Sequence, residues 1–207
     1  MPSYYQRMLM IFAATITFNM SSGSVAQGLQ IIAHRAICSD KPENSLTALE
    51  ECIELGVDYV EVDVRTTSDD RLVLMHDATL DRTTNCHGQV SDYSLSALKA
   101  CLLKDRNGAL SHNRIPTLEQ FLDQSYGRIK VNIDNKGCRL GRIVTQVMDG
   151  GYSEGVLMKS TLSATEVRQE MGDYAGLINF MPVLHERDLS IQNLSDLISD
   201  YATGLRL

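Results

Sequence analysis

Apolar and polar residues follow two periods along the chain, which predict helices and strands in alternation. Apolar residues recur at helical spacing in Ser45–Leu55 and Leu140–Met148, whereas Val57–Val64 alternates between apolar and polar positions. The same patterns predict strands at Gln30–His34, Leu72–His76, Ile129–Asp134, Gly155–Lys159, Leu177–Met181 and the start of one at Gly204–Leu207, and helices at Ser94–Leu103, Thr117–Ser125, Ala164–Met171 and Leu189–Tyr201. This alternation is typical of an α/β protein with a parallel sheet, either doubly wound or a barrel.

The first 26 residues have the pattern of a signal peptide. Met1–Arg7 carries one positive charge, Met8–Phe18 is an apolar run, and Ser24-Val25-Ala26 resembles a cleavage site. The apolar run has 11 residues, whereas a membrane-spanning helix needs about 20. We expect cleavage after Ala26, export to the periplasm or the medium, and a mature domain over residues 27–207, with no stable membrane span. A buried N-terminal helix or an uncleaved anchor is the alternative.

The composition excludes several classes of protein. Hydrophobic residues make up 43 % of the chain and charged residues 22 %, as in soluble globular domains rather than disordered chains. The formal net charge is −7, and a nucleic-acid-binding protein would usually present a basic face instead. We therefore expect no nucleic-acid partner.

Five cysteines follow the predicted cleavage site, and none belongs to a C-x-x-C pair. Cys52 and Cys101 lie in helical apolar patterns, which favours a place in the core. Cys38, Cys86 and Cys138 follow predicted strands and are candidate neighbours. In an oxidising compartment we expect one or two disulfides and at least one free thiol.

Acidic residues occupy one face of two strands that should be buried. In Val57–Val64 the period of two puts Glu61 and Asp63 on the face opposite Val60, Val62 and Val64. The same parity groups Asn132, Asp134 and Lys136 on the strand near residue 130. Unpaired buried carboxylates are costly, so a hard cation such as Ca²⁺ or Mg²⁺ is the simplest remedy. A solvated edge strand or an ion pair with Lys136 remains the alternative.

Two histidines add chemistry to these carboxylates. His34, followed by Arg35, and His76, followed by Asp77, each end a predicted strand. Parallel α/β folds place their active sites at the carboxyl ends of the strands. Two imidazoles can act as general base and general acid, while Arg35 and Lys136 can bind phosphate oxygens. The combination predicts metal-assisted phosphoryl transfer.

These residues resemble the motifs of the glycerophosphodiester phosphodiesterase family. The motifs are Ala33-His34-Arg35, Pro42-Glu43-Asn44, Glu61-Val62-Asp63-Val64, His76-Asp77, Leu80-Asp81-Arg82-Thr83-Thr84, Arg114-Ile115-Pro116-Thr117-Leu118-Glu119 and Ile133-Asp134-Asn135-Lys136. The resemblance as a whole extends from about Gln30 to Met181.

The resemblance implies a TIM-like (β/α) barrel that hydrolyses glycerophosphodiesters to sn-glycerol 3-phosphate and an alcohol. It implies three groups of site residues, namely Glu61, Asp63 and Asp134 as ligands of Ca²⁺ or Mg²⁺, His34 and His76 as the acid/base pair, and Arg35, Glu43 and Lys136 as substrate-binding residues. Three positions depart from the family pattern. Ala36 replaces a usual Gly, so a positive φ there would be strained; Asp134 replaces the more frequent Glu, and Cys86 replaces a common Gly.

The length limits how much of such a barrel the chain can form. A complete barrel has eight strands in about 250 residues, whereas the mature chain would have 181 residues and six or seven predicted strands. We therefore expect an incomplete barrel in a C-terminally shortened family member. A non-catalytic remnant that binds metal or phosphoester and an exported phospholipase D-like phosphodiesterase are the alternative functions.

Overall fold

The structure, a computed structural model, describes residues 30–183 and residue 199. In chain order its elements are β1 (Ile32–Ala33), α1 (Leu46–Glu54), β2 (Tyr59–Thr66), β3 (Leu72–Leu74), α2 (Leu95–Leu98), β4 (Leu102–Lys104), β5 (Leu110–Arg114), α3 (Leu118–Ser125), β6 (Lys130–Asn135), α4 (Leu140–Asp149), β7 (Val156–Ser160), α5 (Ala164–Met171) and β8 (Asn179–Pro182). Short 3₁₀ turns separate some of them.

The main sheet has five parallel strands in the order β1-β2-β6-β7-β8. Each strand is joined to its neighbour through a segment that contains one of the helices α1, α3, α4 or α5. A run of parallel strands in sequential order, each followed by a helix, is the arrangement of a (β/α) barrel. Among the described residues β1 and β8 each pair with one strand only, so the described part is an open section of such a barrel.

The helix-facing side of this sheet forms the core. Val60, Val62 and Val64 of β2 and Val131 and Ile133 of β6 are all buried there. They pack with the apolar faces of the surrounding helices, for example Leu140, Ile143, Val144 and Val147 of α4. The predicted parity of these two strands is therefore confirmed, and it leaves the acidic positions on the opposite face.

The alternation of strands and helices predicts Leu72–His76 as a strand of the parallel sheet, and this prediction is wrong. β3 pairs antiparallel with β2, with Leu74 opposite Val64. The two strands are separated by a short turn in which Asp70 has a φ of +61°. A parallel connection needs a crossover of about a dozen residues or more, and this turn is too short. The described part therefore has five parallel strands where six were predicted, and His76 follows a strand that runs back along β2.

The helix predicted over Ser94–Leu103 is also shorter than expected. It ends at Leu98, and Leu102–Lys104 instead forms β4, which pairs antiparallel with β5. Pairing with another strand outweighs local helix propensity here. Residues 67–117, which we call the insert, join β2 to α3 and bury a second apolar cluster that consists of Val73, Met75, Leu80, Val90, Leu98, Cys101, Leu103 and Ile115.

Two disulfides correct the grouping expected for the cysteines. Cys38 pairs with Cys52, and Cys86 pairs with Cys101, while Cys138 is free. Cys52 and Cys101 are buried as predicted, but Cys38, Cys86 and Cys138 form no disulfide with one another. The first bridge ties the loop after β1 to α1, and the second lies within the insert.

Removing the Cys86–Cys101 bridge should destabilise the protein. The bridge closes a loop with a sequence separation of 15, for which chain entropy gives about 3 kcal/mol of stabilisation. We expect the double variant Cys86→Ser/Cys101→Ser to have a free energy of unfolding lower by about that amount in urea titrations. Cys138→Ser, which removes the unpaired thiol, is the control. An unchanged unfolding midpoint in the double variant would contradict the expected contribution.

Some predicted elements lie outside the described residues. They are the signal peptide over residues 1–26, the strand at Gly204–Leu207 and, apart from residue 199, the helix at Leu189–Tyr201. Within residues 30–183 the helices are too short or too polar to cross a bilayer.

Candidate active site

Three carboxylates meet on the open face of the sheet. In the parallel register Asp63 of β2 lies opposite Asp134 of β6, and Glu61 lies two residues earlier on the same face of β2. One carboxylate oxygen from each of these residues lies within 4.8 Å of the others. Glu61 is 3 % exposed and Asp63 is fully buried. The predicted convergence of these three residues is therefore present in the structure.

Two lysines neutralise this cluster. The Lys136 ammonium lies 2.8 Å from Asp134 Oδ2 and 3.2 Å from Asp63 Oδ1. The Lys159 ammonium lies 3.0 Å from Glu61 Oε1 and 2.8 Å from Asp134 Oδ2. The ion pair with Lys136, which the sequence left open as an alternative to a cation, is thus formed, and a second lysine adds to it.

Lys159 is a site residue that the sequence pattern did not predict. It lies opposite Asp134 in the register of β6 and β7, on the face away from the buried Met158. Burial opposes the charge of Lys159, but Glu61 and Asp134 outweigh it and raise the pKa of this ammonium. The available signal was its place at the carboxyl end of a predicted strand, the same position that singled out His34.

A tight turn after β1 brings His34 and Arg35 to the carboxylates. Arg35 and Ala36 both have positive φ values, 55° and 53°. Ala36 therefore adopts the strained left-handed conformation that glycine would tolerate better. The turn lets the Arg35 amide donate to Glu61 Oε2 over 2.9 Å. His34 Nε2 lies 3.8 Å from the same oxygen. Burial lowers the pKa of His34 despite the opposing charge of Glu61, which favours the neutral imidazole.

Asn44 holds Asp63 in place. Its side-chain amide donates to Asp63 Oδ2 over 2.9 Å, and its carbonyl oxygen accepts from the Asp63 amide over 3.1 Å. Asn44 is buried and has a φ of 56°, a conformation that asparagine tolerates better than most residues. The Pro42-Glu43-Asn44 motif therefore contributes a residue that orients a carboxylate, a role that the sequence did not reveal.

A chain of ion pairs connects His76 to Arg35. His76 Nδ1 lies 2.7 Å from Asp77 Oδ1, and Asp77 Oδ2 accepts from Arg82 Nε over 2.6 Å. Arg82 binds both oxygens of Glu43, at 2.9 and 2.7 Å. Glu43 also contacts the Arg35 guanidinium at 3.3 Å. Asp77 and Arg82 were not predicted as site residues, although both lie in quoted motifs.

Both acidic members of this chain are held ionised. Hydrogen bonds from Arg82 lower the pKa of Asp77 to about 2, against an opposing effect of burial and with help from His76. Burial would raise the pKa of Glu43, but Arg82 and Arg35 lower it below its usual value. An ionised Asp77 that accepts from Nδ1 leaves Nε2 of His76 free for proton transfer.

Arg65 ties together two segments that carry predicted site residues. Its Nε and Nη2 donate to the His76 carbonyl over 3.0 and 2.7 Å, and its Nη1 donates to the Lys136 carbonyl over 3.0 Å. The guanidinium is a planar fork of donors that suits such a bridge. Arg65 therefore positions the backbone of His76 next to that of Lys136.

The donor set fits a divalent metal ion. Three carboxylates are the ligands that hard cations such as Ca²⁺ and Mg²⁺ prefer. In addition, buried Asn132 Oδ1 accepts no hydrogen bond in the described structure, and buried Asp63 Oδ1 has an ion-pair contact with Lys136 at 3.2 Å but no hydrogen bond. Asn132 lies opposite Glu61 in the register of β2 and β6. Buried oxygens of this kind call for an ion or a water, so the residues present are suited to a cation.

The chain matches the model of the glycerophosphoryl diester phosphodiesterase family over residues 34–140. These residues are slightly more than half of the 207 in the chain. The matched region contains all eight site residues that the sequence predicted, whereas Lys159 lies beyond it.

Curated relatives match over a similar region. A glycerophosphodiester phosphodiesterase of Caldanaerobacter subterraneus subsp. tengcongensis is 40 % identical over 94 residues, which are 45 % of this chain and 39 % of that protein. Human glycerophosphodiester phosphodiesterase 1 is 36 % identical over 118 residues, which are 53 % of this chain and 34 % of that protein. The matches thus span less than half the length of these relatives.

Solved structures share the fold. A glycerophosphoryl diester phosphodiesterase from Parabacteroides distasonis has a TM-score of 0.70 at 27 % identity, over 84 % of this chain and 58 % of that one. A glycerophosphodiester phosphodiesterase from Agrobacterium tumefaciens has a TM-score of 0.65 at 28 % identity, over 74 % and 66 %. With strands in the order of a (β/α) barrel and site residues inside the matched region, the chain belongs to the glycerophosphoryl diester phosphodiesterase family.

Proposed function

We propose that this protein is a divalent-metal-dependent phosphodiesterase that hydrolyses glycerophosphodiesters to sn-glycerol 3-phosphate and an alcohol. One observation above all supports this proposal. Glu61, Asp63 and Asp134 present oxygens within 4.8 Å of one another, beside His34 and Arg35, in a chain of this family. A site with three carboxylates, cationic donors and an imidazole suits the transfer of a phosphoryl group.

The substrate phosphate would be bound by cations of this chain. Arg35 offers a planar guanidinium for phosphate oxygens, and Glu43 orients it from 3.3 Å. Lys136 adds a point charge beside Asp63 and Asp134. When bound by Glu61, Asp63 and Asp134, Ca²⁺ or Mg²⁺ would stabilise negative charge on the non-bridging oxygens of the phosphate.

The proposed proton transfers use the two histidines. One histidine takes the proton of the substrate's glycerol hydroxyl, and the freed oxygen attacks phosphorus. The bond from phosphorus to the alcohol oxygen breaks, the other histidine protonates that oxygen, and a cyclic glycerol phosphate results. Water then opens the ring, giving up its proton to one histidine while the other returns a proton to the glycerol oxygen. The products are sn-glycerol 3-phosphate and the free alcohol.

The test of this function is hydrolysis of glycerophosphocholine by the purified protein. Release of sn-glycerol 3-phosphate is followed with Ca²⁺, with Mg²⁺ and with chelator, alongside a thermal melt. We expect metal-dependent release and a cooperative melt. A cooperative melt without release at any metal concentration would contradict the proposed function, and equal release with chelator would contradict the metal site.

Replacing Arg82 by lysine should lower kcat/KM by about tenfold. A single ammonium cannot bridge Glu43 and Asp77 as the guanidinium does, so both Arg35 and His76 lose their alignment, and small misplacements near a reacting centre are costly. Arg128→Lys is the matched control, since Arg128 also binds both oxygens of a glutamate, Glu50, but on the protein exterior. If kcat/KM changed by the same small factor in Arg82→Lys and Arg128→Lys, the chain of ion pairs would play no part in turnover.

We also propose that the protein is exported and that its signal peptide is cleaved between Ala26 and Gln27. The two disulfides, Cys38–Cys52 and Cys86–Cys101, support this because disulfides persist mainly in oxidising compartments. The N-terminal residue of protein recovered outside the cytoplasm should be Gln27. Recovery of full-length protein from the cytoplasm alone would contradict export.

A further inference from the structure

Lys159 forms ion pairs with carboxylates that would also bind a metal ion. Its ammonium lies 3.0 Å from Glu61 Oε1 and 2.8 Å from Asp134 Oδ2. The side chain is 18 % exposed, and its Cα is opposite that of Asp134 in the register of two neighbouring strands. Lys159 is therefore positioned by β7 itself and not by a surface loop.

Cationic groups already surround the three carboxylates in this arrangement. Glu61, Asp63 and Asp134 are each within 4.0 Å of at least one cationic group. These groups are Lys136, Lys159 and Arg35, of which Arg35 is shared with Glu43. A divalent ion added to this cluster meets repulsion from each of them, most strongly from those that share its ligands.

Lys136 and Lys159 differ in how they relate to the three ligands. Lys136 is on the loop that follows β6 and contacts Asp63 and Asp134, and its backbone is fixed by Arg65. Among the residues that the structure describes, only Lys159 bridges Glu61 to Asp134, two ligands from different strands. An ion held by these two residues would take the place of this ammonium.

We propose that Lys159 is an internal counter-ion that competes with the divalent cation for Glu61 and Asp134. Cation binding then requires the ammonium to leave these two oxygens, and Lys159 lowers the cation affinity of the site. This inference rests on the proposed function, because it takes Glu61, Asp63 and Asp134 as the metal ligands.

The first test is calorimetric titration of the chelator-treated full chain with Ca²⁺ and, separately, with Mg²⁺. Lys159→Gln removes the charge and should lower the Kd by about tenfold or more. Lys159→Arg keeps the charge and should bind within about threefold of the original protein. Lys130→Gln, at the exposed start of β6 and at the opposite end of the sheet, is the matched control and should have an unchanged Kd. Equal or weaker cation binding by Lys159→Gln would overturn the proposal.

A second test needs no variant and so does not depend on how a variant folds. Lysines of the original protein are acetylated with an amine-reactive reagent, with and without saturating Ca²⁺. The acetylated fraction of each lysine is then measured by mass spectrometry. Displacement should increase labelling of Lys159 several-fold when Ca²⁺ is added, while labelling of Lys130 stays constant. Unchanged or decreased labelling of Lys159 would overturn the proposal.

The outcomes separate this inference from the proposed function. If the original protein binds Ca²⁺ or Mg²⁺ and Lys159→Gln binds no tighter, the inference fails and the proposed metal site stands. If only Lys159→Gln binds a cation, the inference is supported, and the proposed metal dependence of the original protein fails. If neither protein binds a cation, both fail.

Discussion

Replacing His76 by alanine should lower kcat for glycerophosphocholine by about two to four orders of magnitude, the usual effect of removing a general acid or base. Asp77, whose pKa is about 2, stays ionised at neutral pH and accepts from Nδ1 of His76 at 2.7 Å. The imidazole is thereby held with Nε2 available for the proton. Alanine at this position has no group that can take over the transfer.

Cation binding should survive this substitution. Among the described contacts, His76 pairs with Asp77 and not with Glu61, Asp63 or Asp134. We therefore expect the Kd for Ca²⁺, measured by calorimetry, to stay within about twofold of the original value. The control is His112→Ala, which removes an exposed histidine from β5 and should leave kcat unchanged. A loss of kcat below tenfold in His76→Ala, or a collapsed thermal melt, would contradict the assigned role.

Asp63→Asn should lower the affinity for a divalent cation by about a hundredfold or more and reduce turnover in proportion, because it removes one charge from three ligands. Asp63 is fully buried and contacts Asn44, Lys136 and Arg35. The neutral asparagine amide would no longer balance the positive charges of Lys136 and Arg35. The melting temperature should therefore fall as well. High cation concentrations should restore part of the turnover.

The measurements for this variant are a calorimetric titration with Ca²⁺, the release of sn-glycerol 3-phosphate and a melt monitored by circular dichroism. Asp149→Asn, an exposed aspartate at the end of α4, controls for the loss of one negative charge and should match the original protein. Original cation affinity and turnover in Asp63→Asn would show that Asp63 is not a ligand.

The face carried by each strand could be predicted from the sequence because the parity of a strand is local. Val60, Val62 and Val64 alternate with Glu61 and Asp63, and only one of these sets can face the helices. The convergence of β2 and β6 followed because carboxyl ends of parallel strands meet at one edge. The family motifs then supplied roles for residues such as Glu43, whose contact with Arg35 is present in the structure.

Contacts of individual side chains with distant segments have no such local pattern in the sequence. Lys159 becomes a site residue only because β7 lies beside β6, and Arg82 only because the insert folds back towards Glu43. The disulfide partners, Cys38 with Cys52 and Cys86 with Cys101, likewise depend on how loops fold. The direction of β3, in contrast, is predictable from the sequence, since the turn before Leu72 is too short for a parallel connection.

The contact between Glu61 and Lys159 spans 98 positions in the sequence, and this separation has a consequence for folding kinetics. During synthesis Glu61 and Asp63 leave the ribosome well before Lys159, so an N-terminal intermediate carries carboxylates without this cation. Contacts of such high sequence separation form late and slowly. Refolding should therefore speed up when Ca²⁺ is present, because the ion can screen the carboxylates until β7 docks against β6.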